Sequence, residues 1–168
     1  ARARADGLND PPDLRGMVFD PTPPGDSAPA TVVTIDYGPD EVQWRYDSHS
    51  GEYARWVDGE PHTDADSGAQ VTAANVVTLY ARHQDDESIV EGEWNGTKFY
   101  STEIELQALG PAMLIRDGVA VDGFWMRWAE GAPLTLWADE GAAQPLAFKP
   151  GITWFQVVPL DFSGLRLE

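Results

Sequence analysis

Short runs in which apolar and polar residues alternate, closed off by Asx-Gly pairs, constrain this chain more than any other feature of its sequence. Val33, Ile35 and Tyr37 alternate with Thr34 and Asp36, and Val42, Trp44 and Tyr46 alternate with Gln43, Arg45 and Asp47. A period of two places one kind of side chain on each face of a strand, so these runs predict two half-buried strands. Ser48-His49-Ser50-Gly51 then separates the second run from Glu52 to Val57, a hairpin signal that places Trp44 and Trp56 on its two arms. Asp58-Gly59, Asn95-Gly96, Asp117-Gly118 and Asp122-Gly123 supply the residues that tolerate positive φ, as tight β turns demand. Further strands are expected at Pro111 to Ile115, Val119 to Trp128, Leu134 to Trp137 and Thr153 to Val158. Val71 to His83 fits a strand or one short helix by periodicity, and its β-branched content favours a strand from about Val76. The expected fold is mainly β, at the margin of α+β: antiparallel sheets built from hairpins, with one or two short helices.

Before these strands the pattern differs. Pro11, Pro12, Pro21, Pro23, Pro24 and Pro29 surround an apolar island, Met17-Val18-Phe19, which reads as an irregular lead-in. Ala1-Arg2-Ala3-Arg4-Ala5 reads as the last turns of a helix belonging to a preceding domain. The expected division is therefore a lead-in over 1–29 and a single Trp-rich β domain over 30–168.

Charge and length bound the function. The 168 residues fit one domain, which buries about 70% of its unfolded surface and needs no disulfide or metal staple. With 28 acidic against 11 basic residues, the formal charge of −17 disfavours phosphate-rich polymers and anionic membrane surfaces, so no nucleic-acid partner is expected. Apolar stretches such as Thr153 to Leu160 fall well short of the roughly 20 residues of a membrane span, so no direct membrane insertion is expected. No cysteine is present, which removes thiol nucleophiles and Cys-ligated zinc.

Two groups of residues carry possible chemistry. His62-Thr63-Asp64-Ala65-Asp66-Ser67-Gly68 brings an imidazole and two carboxylates to alternating positions, although Asp/Ser/Gly runs are also ordinary turn chemistry and the calcium-loop pattern is not met. No metal and no cofactor is expected. Arg45, Arg55, Arg116 and Arg127 lie in or beside strands with Trp44, Trp56, Trp125 and Trp128 as neighbours. Arginine stacks on aromatic rings and binds carboxylates with its planar fork, so the set supports cation–π ladders on a solvent face or an anion pocket using Arg55 and Arg127. Seven tryptophans also fit a sugar-binding surface, but alternation places four or five of them in the core. Pairs such as Asp64/Asp66 or Glu91/Glu93 arise by chance among so many acids, and neither a Gly-x-Ser-x-Gly elbow nor a phosphate-binding Gly-rich loop is present.

An ordered set of short motifs spans nearly the whole chain. It comprises Asn9 to Leu14 with Phe19, Trp44-Arg45-Tyr46-Asp47, Tyr53-Ala54-Arg55-Trp56, His62-Thr63-Asp64 and Asn75-Val76-Val77. Arg116-Asp117-Gly118, Gly123 to Arg127 and Pro150 to Trp154 complete it. In this order the motifs resemble the C-terminal domain of the YerB-like bacterial lipoproteins, a family of unknown function. The resemblance implies an extracytoplasmic protein anchored by an N-terminal lipid, with an N-terminal domain as this domain's partner, and it implies no reaction. It makes Tyr53, Arg55, His62, Asp64, Asn75, Arg116, Trp125 and Arg127 candidate ligand-binding residues. Val90 to Glu105 carries no motif of the family.

The functional expectation is a non-catalytic module binding a cell-envelope ligand or partner protein, with Arg55 and Arg127 pairing an anionic group that His62 and Asp64 orient. One alternative is a hydrolase or transferase acting on cell-wall glycan or peptide, with His62 as base held by Asp64. Another is a structural domain that packs on the N-terminal domain.

Overall fold

The computed structural model describes residues 13–25 and 27–168; the helix expected at Ala1 to Ala5 lies outside them. Among the described residues the chain forms thirteen strands in two sheets and no helix, so the mainly β expectation holds and the short helices do not form. One sheet contains β1 (Ala28–Pro29), β7 (Asn75–Trp94), β8 (Thr97–Glu105), β9 (Leu109–Arg116), β10 (Val119–Met126), β11 (Thr135–Trp137) and β12 (Thr153–Pro159). Its path is β1-β10-β9-β7-β12, with β11 on β10 and β8 on β7. The other contains β2 (Val32–Asp36), β3 (Glu41–Asp47), β4 (Glu52–Val57), β5 (Glu60–Pro61), β6 (Thr72–Ala73) and β13 (Leu165–Leu167), in the order β13-β2-β3-β4-β5 with β6 on β4.

Among the described residues, pairing between named strands is antiparallel except between β7 and β12, where Asn75 to Ala81 run parallel to Thr153 to Pro159. Hairpin turns cannot make a parallel pair, and here most of the chain between the two strands forms the crossover.

Three of the four Asx-Gly pairs are the expected turns, with φ positive at both residues: Asp58/Gly59, Asn95/Gly96 and Asp117/Gly118. The fourth is not a turn. Gly123 lies within β10, where a Cβ would stand 2.4 Å from the carbonyl oxygen of Trp137 on β11. Glycine is there because another backbone approaches too closely for a side chain.

The sheets pack through the faces that alternation predicts. Val33, Ile35, Val42, Trp44 and Tyr53 of the second sheet meet Val76, Ile115 and Ala120 of the first. The opposite face of the first sheet, with Val77, Leu79, Leu114 and Trp125, is covered by Leu136, Phe148, Met17, Leu134 and Leu146. The lead-in is tied down there by a bridge between Phe19 and Phe148. Only two tryptophans, Trp44 and Trp125, are fully buried, fewer than the alternation predicts. Trp56 lies on the outer face under Arg45, whose guanidinium carbon is 4.0 Å from its ring centre; Trp154 sits on an edge strand; Trp94 and Trp128 are exposed.

Candidate functional site

Arg55 faces Trp44 across the β3–β4 pair, on the side of the sheet that meets the other layer. Its backbone shapes the surroundings. The Arg55 carbonyl accepts from the amide of His62 and from the side chain of Gln70, and its amide donates to Val71, so the 62–71 segment folds back along β4. That return places the His62 ring beside the Arg55 guanidinium, with Nη1 of Arg55 2.5 Å from Nδ1 of His62. The guanidinium carbon lies 4.9 Å from the ring centre of Trp154 on β12 and 5.9 Å from that of Trp44. Trp44 and Trp154 are themselves 5.4 Å apart, and the His62 ring meets Trp154 edge-on. Trp154 Nε1 donates to the side-chain oxygen of Gln156, two residues along β12.

The electrostatics of this cluster are unusual in a chain with 28 acids. Among the described residues Arg55 makes no ion pair, and its buried Nε meets no acceptor. Burial lowers its pKa from the ordinary value, and the Tyr37 phenol opposes that only in part. Trp44 Nε1, Gln156 Nε2 and Thr78 Oγ1 are likewise buried without a partner. Gln156 and Thr78 are register partners on β12 and β7. Three of these four orphans are pure donors at the atom concerned, and a buried donor without an acceptor costs about 1–3 kcal/mol. The cluster lacks acceptors.

Of the eight residues singled out in the sequence, Arg55 and His62 come together here and the other six do not join them. Asp64 turns away: its Oδ1 accepts from the amide and hydroxyl of Ser67, which closes the 64–68 turn and holds its carboxyl below the usual range. Arg127 donates to the carbonyls of Ala132 and Glu130 and so fixes the loop after β10. Arg116, fully buried, donates to the carbonyls of Asp20, Ala147 and Thr22 and pairs with Asp117, pinning the lead-in to the sheet. Asn75 exchanges hydrogen bonds with the Lys149 backbone and donates to Thr153. The Tyr53 hydroxyl donates to Ala30, and burial raises its pKa well above that of a free phenol. Trp125 Nε1 donates to the Tyr80 carbonyl. These six hold turns and segments together.

Asp117 joins two of those supports. Burial pushes its carboxyl up, but bonds from Lys149 and Arg116 outweigh that and hold it below the usual carboxylate range. A cavity of about 570 Å³ lies near Arg116, lined by Asp20, Pro23, Pro24, Gln144 and Pro145 among others. Four hydrogen bonds already occupy that guanidinium.

Trp154 and Gln156 were not among the sequence candidates as site residues. The available signal was a polar glutamine at an inward position of an otherwise apolar alternating strand. Among the described residues no group of three or more His, Asp or Glu side chains could hold a metal ion, and no helix is long and apolar enough to cross a membrane.

Residues 33–155 match the family model described as "Protein of unknown function (DUF3048) C-terminal domain". The crystal structure of the YerB protein from Bacillus subtilis resembles this fold with a TM-score of 0.68 at 23% identity. The likeness covers 98% of this chain and 51% of that one, so the chain spans about half the length of that protein, and at this identity the likeness shows the fold. No curated protein matches the sequence. The family match takes in Arg55, His62 and Trp154, and the chain belongs to the YerB-like family of unknown function, as its C-terminal domain.

Proposed function

We propose that this domain is a non-catalytic binding module of an extracytoplasmic, lipid-anchored envelope protein, and that it takes an anionic group of an envelope ligand or partner protein at Arg55. The observation that carries the reading is the buried Nε of Arg55, without an acceptor among the described residues of a strongly acidic chain. An arginine whose fork is held between two indoles and an imidazole is preorganised for a carboxylate or phosphate, and the orphaned donors of Trp44 and Gln156 add neutral hydrogen bonds beside it. The module reading is favoured over an enzyme because the His62 partner is Arg55, while the carboxylate that would hold His62 as a base is engaged by Ser67. The envelope location and lipid anchor rest on the family resemblance alone.

Titration with citrate and with inorganic phosphate tests this, read by tryptophan fluorescence and by thermal melting. Trp44 and Trp154 flank the guanidinium and serve as reporters. A saturable signal that Arg55→Met abolishes and Arg127→Ala leaves intact is expected. No saturable response to either anion, or one that survives Arg55→Met, overturns the assignment.

A further inference from the structure

Strand β7 does not stop where its sheet stops. Asn75 to Ala81 are paired on β12, and the first five of them also on β9, but from Arg82 to Trp94 the strand pairs with β8 alone. The nine residues of β8 pair along this stretch, with irregularities in β7 between Asp86 and Val90 and between Val90 and Gly92, so at a strand rise of about 3.3 Å per residue the two-stranded arm is roughly 30 Å long. The Asn95-Gly96 turn closes its tip. Its surface has two properties together. Ile89, Val90, Trp94, Phe99 and Ile104 are all exposed, with Trp94 at 70% and Phe99 at 53%. The register puts Trp94 and Phe99 on the same face near the tip, with Gly92 opposite Phe99, so no side chain stands across from that ring.

The same arm carries Asp85, Asp86, Glu87, Glu91, Glu93, Glu103 and Glu105 against Arg82 and Lys98. Among the described residues none of those carboxylates is in an ion pair. Two-stranded ribbons with no third strand are marginal in water, and exposed aromatic surface ringed by charge is the composition of an interface.

We infer that the β7–β8 arm is a docking element for a basic protein surface, with Trp94 and Phe99 entering an apolar recess and the carboxylates meeting a Lys/Arg rim. Charge decides the occupant. An anionic lipid surface repels an arm with five more acids than bases, and a second copy of a chain with formal charge −17 repels it too. Tryptophan is a frequent anchor of binding energy, while rim charges set encounter rate and salt dependence. This inference is independent of the Arg55 site, which lies between the two sheets and takes no residue from the arm.

The test places a photo-crosslinking residue at Thr97 of the intact protein in its own cells. One discrete protein adduct is expected, with the crosslinked peptide of the partner flanked by Lys or Arg. Its yield should fall at least about tenfold in the triple variant Asp85→Lys, Glu87→Lys, Glu91→Lys, and should fall again in isolated envelopes as salt rises from about 50 to about 300 mM. Trp94→Ala alone should reduce it by a similar factor. Both variants should melt with the parent protein, because the arm contributes no residue to either buried cluster. Absence of any protein adduct, an adduct to lipid or to a second copy, or a yield indifferent to charge reversal and to Trp94→Ala overturns the inference.

Discussion

Nδ1 of His62 accepts a hydrogen bond from Nη1 of Arg55. Arginine cannot accept, and the direction of the bond is therefore fixed. The pair leaves the guanidinium charged, partly desolvated and uncompensated by any carboxylate among the described residues.

Arg55→Met should leave stability unchanged or raise it by about 1 kcal/mol, because an apolar side chain between two indoles costs nothing to desolvate. Urea unfolding of parent and variant measures this. A loss above about 2 kcal/mol would mean that the arginine holds the layers together rather than waiting for a ligand.

Asp117→Asn should destabilise by about 1–3 kcal/mol, since Arg116 and Lys149 both lose their carboxylate while Arg116 stays buried. The pH dependence has a definite sign. The folded pKa of Asp117 is depressed, so its contribution is present above the unfolded value of about 3.9 and lost as pH falls through the lower folded value. Unfolding midpoints between about pH 2 and pH 5 should therefore decline less steeply in the variant than in the parent.

Gly123→Ala should cost about 2–3 kcal/mol, as the added methyl meets the Trp137 carbonyl and the Leu146 side chain. Gly25→Ala, where a Cβ meets nothing, serves as the control and should cost far less. Thermal melting of the two variants makes the comparison.

Amide exchange should divide β7 in two. The amides of Asn75 to Ala81 lie in the sheet interior and should open only with global unfolding, while those of Arg82 to Trp94 should exchange through local opening of the arm. Equal protection along the strand would show that a third element covers the arm in solution.

Strands were legible where one face is buried, because alternation records burial directly: β2, β3, β4, β10 and β12 lie where the pattern puts them. The parallel partner of β12 was not, since nothing local in Thr153 to Pro159 names Asn75 to Ala81 as its neighbour. At the site, the His62-to-Asp64 spacing looked like a dyad because turns and active sites draw on the same residue types. Arg116 and Arg127 looked like ligand binders because three of the four acceptors of Arg116 and both of those of Arg127 are backbone carbonyls, which every residue carries and no sequence distinguishes. Trp154 reaches Arg55 from 99 positions away, across the gap between two sheets.

The parallel pairing of β7 with β12 also dictates an order of events in folding. Both sheets take an edge strand from Thr153 to Leu167, β12 in one and β13 in the other, so neither is complete until that stretch is available. Loop-closure entropy must be met across nearly 80 residues before those contacts return anything. A polypeptide that emerges N-terminus first from a ribosome would hold two incomplete sheets during that interval. Its strong negative charge is then a safeguard during synthesis: partly formed copies repel one another until the last strands arrive.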